Sequence, residues 1–169
     1  MKKQQIYTTF ISLCGIGVFG ISVYQSIALF TDPQTSLSMI LFSAVMLVIM
    51  LLCHMLPIYI TSDKTMEISF VAVIACVVTK GVALSIVLFA LSTVLALLQD
   101  TKTRKYYSPW ARAPLKELFN VSNVLVSNWI GGILYNWIVP DAGGEVFAWR
   151  VMIGAVIFSC VAIFINLVL

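Results

Sequence analysis

Charge is what this 169-residue chain has least of. Asp, Glu, Lys and Arg together make up 10% of it, against about 25% in an ordinary soluble domain. With 61% hydrophobic residues and a mean hydropathy of +1.04, that shortage excludes a water-soluble globular fold. Histidine occurs once, at position 54, and a lone imidazole beside an apolar run reads as a structural group. The cysteines, Cys14, Cys53, Cys76 and Cys160, each lie in an apolar run and form no C-x-x-C. They read as buried thiols packing as small apolar groups, with neither a disulfide framework nor a metal site expected. No spacing pairs the carboxylates, and no nucleophile stands next to a base. The expectation is therefore no enzyme, no catalytic residue, no metal and no cofactor.

What the chain has instead is hydrophobic runs. About 20 apolar residues cross a hydrocarbon core. Residues 6–30 qualify and are ended by the turn Thr31-Asp32-Pro33-Gln34-Thr35. Residues 36–55 follow, closed by Pro57, and further spans are expected at about 82–99, 117–139 and 146–169. Residues 68–79 form a run of about a dozen, followed by Lys80-Gly81. At about 1.5 Å per residue such a helix reaches only ~18 Å, so it is read as short or broken. The run after Met1-Lys2-Lys3 is too long for the apolar part of a signal peptide, so it is read as a retained first helix.

Basic residues set the orientation. With six elements, Lys2, Lys3, Lys64, Lys102, Arg104, Lys105, Arg112 and Lys116 share one side, and Lys80 and Arg150 lie on the other. Lys and Arg concentrate on the cytoplasmic side of membrane proteins. Joining 68–79 to the next run would move the Lys102–Lys116 cluster away from Lys2 and Lys3. The fold expected is thus an all-α polytopic membrane protein: one domain over 1–169, a bundle of about six transmembrane elements, both termini cytoplasmic. Between the second and third elements, Ile58 and Ile60, then Met66, Ile68 and Phe70, alternate around Ser62-Asp63-Lys64. That period suits a β-hairpin at the interface or against protein, with a plain extended loop as the alternative.

Two patterns on these elements bear on function. In the fifth span Lys116, Asn120, Asn123, Ser127 and Gly131 share one helix face, with Asn128, Gly132 and Asn136 in an adjacent row. Amides facing lipid would be left without partners, so this face should point inward. It serves either as helix–helix hydrogen bonding with close glycine packing, or as the lining of a pocket for a small polar ligand. The ligand-binding candidates are Asn120, Asn123, Ser127 and Asn128. In the loop, Lys102–Lys116 interleaves basic residues with Tyr106, Tyr107 and Trp110. Beside two spans this predicts anchoring to anionic lipid headgroups and no nucleic-acid binding. Gly15-Ile16-Gly17-Val18-Phe19-Gly20 spells a dinucleotide fingerprint but follows no strand, so it is read as a packing face or flexible point.

MLPIYITSDKTMEISFVAVIACVVTKGVALSIVLFA, followed after the basic loop by LKELFNVSNVLVSNWIGGILY, resembles a known arrangement. It is similar to the integral-membrane sensor domain that precedes HD-GYP and GGDEF output domains in bacterial cyclic-dinucleotide signalling proteins. The resemblance covers roughly Leu56 to Tyr135, and Leu118-Phe119-Asn120 with the following Asn and Ser is its most specific piece. It implies a six-helix sensor in the bacterial cytoplasmic membrane whose last helix leads into a cytoplasmic output domain. No HD, GYP or GGDEF sequence follows Leu169, so no catalytic residue carries over, and a cropped, truncated or stand-alone form is expected. The function expected is a membrane sensor that controls a cytoplasmic output domain or partner protein, with a homodimer as a further option. The alternatives are a small-molecule-binding subunit resembling those of vitamin-uptake transporters, or a scaffold subunit of cell-envelope machinery.

Overall fold

The computed structural model describes residues 2–31, 36–55, 58–61, 64–66, 69–99, 106–139 and 148–169. The Asp32–Thr35 turn, Ser62, Asp63 and Ile68 of the alternating stretch, and Lys102, Arg104 and Lys105 of the basic loop lie outside the described residues. Helices form where the apolar runs predict them. They are α1 (Lys2–Phe30), α2 (Ser36–Met55), α3 (Ser69–Lys80), α4 (Val82–Leu95), a single turn α5 (Pro109–Arg112), α6 (Pro114–Ile138) and α7 (Ala148–Val168). Gln4–Phe30, Leu37–Met55 and Trp149–Val168 are each long and apolar enough to cross a membrane. Pro114 opens α6 and Glu117 sits in its first turn. A missing N–H and a negative charge both suit a helix start.

The distribution of polarity says what surrounds the bundle. Ser12, Ser22, Ser26, Ser85, Ser92, Ser122, Ser127, Asn123 and Asn128 are buried, while Ile6, Phe10, Tyr24, Leu37, Val48, Trp137, Phe164 and Leu167 are exposed. A protein in water arranges these groups the other way round. Large apolar side chains outside and small polar ones between helices are what a hydrocarbon solvent selects. With three helices long and apolar enough to cross a bilayer, this pattern supports membrane association. The Tyr7 hydroxyl donates to the Leu169 carbonyl, so the start of α1 and the end of α7 lie together at one end of the bundle.

Glycine sets the closest approaches. A Cβ on Gly15 would lie 2.3 Å from the Ser122 Cβ and 2.5 Å from its Cα, so α1 and α6 touch almost backbone to backbone there. The Ser122 hydroxyl donates to the Ser12 carbonyl across the same seam at 3.4 Å. Gly131 faces Phe158 of α7, and Gly132 faces Val82 of α4. Of the three glycines in the fingerprint-like string, Gly15 packs closely, while a Cβ on Gly17 or Gly20 would meet nothing within 4 Å.

Two elements are short, where the sequence predicts one. The element expected at 82–99 stops at Leu95, and Ala96 is extended at φ −63° and ψ 136°. Leu98–Gln99 (β3) then pairs antiparallel with Tyr106–Tyr107 (β4). The indole of Trp110 donates to the Thr93 carbonyl at 3.1 Å, taking one of the acceptors a helix end leaves free. At 12 and 14 residues, α3 and α4 reach only about 18 and 21 Å. Gly81, at φ 91°, breaks the chain between them, and the two pack against each other and against α2. Before α3, Ile58–Thr61 (β1) pairs antiparallel with Lys64–Met66 (β2), the predicted hairpin. Phe70, read as part of that alternation, belongs to the first turn of α3.

Candidate functional site

The polar face of α6 divides between three tasks. Asn123 ties α6 to α7: its Nδ2 donates to the Asn166 side-chain Oδ1 at 2.8 Å and to the Asn166 backbone carbonyl at 3.2 Å. The Ser127 hydroxyl donates back to the Asn123 carbonyl at 2.7 Å, within the helix. Asn128, one residue on, is 1% exposed, and its Nδ2 has no hydrogen-bond partner among the described residues. A buried amide donor without a partner costs about 1–3 kcal/mol. Asn120 sits apart, exposed near the start of α6.

Asn128 and Ser127 line a cavity of about 330 Å³ between α3, α4, α6 and α7. Ser69 and Phe70, the opening residues of α3, and Ala162, Ile163 and Asn166 of α7 contribute to its lining. Phe89 of α4 and Val124 of α6 complete the lining. The Phe70 ring stacks on Phe158 at 6.1 Å with an interplanar angle of 12°, which fixes the Phe70 wall. Among the described lining residues, none is Asp, Glu, Lys or Arg. The cavity is therefore an apolar chamber with a few polar groups, the usual make-up of a small-molecule site.

Asn120 belongs to a second, smaller recess of about 170 Å³, with His54, Thr93, Trp110 and Glu117. His54 is buried at 4% exposure, and its ring lies 5.3 Å from that of Phe89. Phe89 and Val124 line both recesses.

Of the four residues singled out from sequence, the structure brings Ser127 and Asn128 to the cavity, sets Asn123 as an interhelical tie beside it, and leaves Asn120 in the other recess. Sequence reasoning missed Asn166, Ser69 and Phe70. Asn166 carried a signal, an amide in an apolar run, and is the partner Asn123 needed. Among the described residues no group of His, Cys, Asp or Glu is placed to hold a metal ion. At the ends of the bundle, Arg112 stacks over Tyr107 at 5.5 Å and Arg150 over Trp149 at 5.4 Å. Cations on aromatic rings are typical of membrane–water boundaries.

No protein-family model, curated protein or solved structure matches this chain. The functional reading rests on the geometry of the cavity.

Proposed function

We propose that this chain is a membrane-embedded sensing module of the bacterial cytoplasmic membrane, with both termini cytoplasmic. It binds a small molecule in the cavity beside Asn128 and passes its occupancy through α7 to a cytoplasmic output domain or partner protein. The single observation that carries this is the largely apolar cavity of about 330 Å³ walled by α6 and α7, beside the buried Asn128, whose Nδ2 has no partner among the described residues. Such a group is costly in an empty protein and useful in a filled one. Support for the output route comes from the walls. α7 contributes Ala162, Ile163 and Asn166, and Asn166 also accepts the tie from Asn123. A ligand there touches the α6–α7 contact directly. The resemblance to sensor domains of cyclic-dinucleotide proteins suggests the class of output.

The test measures movement of α7. Spin labels are placed on native Cys160, which is exposed on α7, and on Leu115→Cys, exposed at the start of α6. The other three cysteines are replaced by alanine. In nanodiscs, bacterial membrane extract should shift the distance distribution between the labels and should not do so in Asn128→Leu. Retention of an extract component with no change in distance would favour a binding subunit of the uptake-transporter kind. Neither retention nor movement would remove the sensing reading and leave a scaffold.

A further inference from the structure

We infer that the turn between α3 and α4 forms a recess in the membrane boundary, where Lys80 draws a phosphate group and water below the level of the surrounding headgroups. The recess opens at the end of the bundle where α2 begins and α6 ends. It stands at the far end of α3 from the cavity beside Asn128 and does not rest on that cavity being a binding site.

Two neighbouring helices measure the depth of the turn. The Lys80 ammonium lies over the Phe42 ring at 5.6 Å, and Phe42 stands six residues into α2 from Ser36. A Cβ on Gly132 would lie 2.4 Å from Val82 Cγ1, and Gly132 stands six residues before Ile138, where α6 ends. At about 1.5 Å per residue, both helices set the turn about 9 Å in from their own ends. Trp137 and Trp149 are exposed at that end, and Arg150 lies over Trp149, which marks a membrane–water boundary. At its other end α4 reaches the level of Trp110, whose indole bonds Thr93. The length of α4, about 21 Å, and the setback of about 9 Å together match the ~30 Å of a hydrocarbon core. The whole shortfall therefore falls on the side of the turn.

Under a flat leaflet, a residue at that depth would sit in hydrocarbon. Leu41 and Ile133 stand at the same level on α2 and α6 and are exposed and apolar, as such a solvent requires. Lys80 is exposed as well, and among the described residues no carboxylate pairs with it. Its place in the last turn of α3 suits the negative end of that helix dipole, which accounts for a cation at a helix end but not for its depth. An ammonium exposed to hydrocarbon is costly. The cost falls when the side chain reaches towards the boundary, when the leaflet thins over a short element, and when an anion and water descend to meet the charge. A lysine holds phosphate as a point charge. The headgroup of a phospholipid and a dissolved phosphate both offer that chemistry.

The test uses the full-length chain with its native cysteines replaced by alanine, in nanodiscs of mixed phosphatidylglycerol and phosphatidylcholine. Spin labels on Thr79→Cys, Leu41→Cys and Ile133→Cys report collisions with a water-soluble nickel chelate and with oxygen. The expected result is strong nickel relaxation at position 79 and only oxygen relaxation at 41 and 133, although the three share one level. Lys80→Leu should abolish the nickel effect at 79, and Lys80→Arg should keep it. Native mass spectrometry should show one retained phosphatidylglycerol that Lys80→Leu loses, which makes a lipid headgroup the source. Unchanged lipid retention, with inorganic phosphate bound by the native protein and not by Lys80→Leu, makes a dissolved phosphate the source. If Lys80→Leu changes neither, the phosphate assignment is wrong. A label at 79 that meets only oxygen, or equal nickel relaxation at all three positions, overturns the recess. That comparison leaves Lys80 in place, so it decides the matter even if Lys80→Leu fails to fold.

Discussion

Asn123 and Asn128 are the same residue type on the same helix, and the structure sets them opposite tasks. Asn123→Leu removes both hydrogen bonds to Asn166 together with a buried Oδ1 that has no partner among the described residues, so it should lower ligand-free stability by no more than about 1 kcal/mol, seen as a slightly reduced thermal midpoint in nanodiscs. Asn128→Leu removes a donor that has no partner among the described residues and should raise ligand-free stability by about 1–3 kcal/mol in the same assay. A fall in both variants would mean that the Asn128 amide is satisfied in the membrane. The inward direction of these residues was legible in the sequence, because an amide cannot be left against lipid. Which of them is tied and which is left over was not. That depends on where Asn166 falls on another helix, 43 residues away, and spacing along one helix carries no information about its neighbour's rotation.

At the scale of elements, glycines separate packing from mere flexibility. Gly15→Leu drives a large side chain into the Ser122 backbone and should separate α1 from α6, lowering the thermal midpoint sharply. Gly17→Ala meets open space and should be neutral or stabilising by up to about 1 kcal/mol through helix propensity alone. Gly81→Ala also meets open space, yet it should cost about 1–3 kcal/mol because φ there is 91°. Loss of stability in Gly17→Ala comparable with that in Gly15→Leu would contradict the seam. The existence of α1, α2, α3, α6 and α7 followed from apolar runs and the turns between them. The end of α4 did not, since Ala96-Leu97-Leu98 continues the apolar run without punctuation. At the helix end stand Trp110, bonded to Thr93 17 residues before it, and the pairing of Leu98–Gln99 to Tyr106–Tyr107. Both are tertiary contacts, invisible to a local pattern.

For the whole molecule, composition alone named the solvent, and the exposed isoleucines and buried serines agree with it. Sidedness comes from the distribution of basic residues and has its own test. In a background with the native cysteines replaced, Leu115→Cys should react with a membrane-impermeant maleimide only after the cytoplasmic face is opened. Trp149→Cys should react in intact spheroplasts. Labelling of both from the same face would invalidate the six-element topology. Function was the least legible level, because a chamber is made by four helices at once and no single run of sequence encodes it.

Phe89 and Val124 line two chambers of different character at once. Any motion of this shared pair that widens one chamber at the expense of the other would make their occupants compete without sharing an atom. The penalty each imposes on the other would be equal in both directions.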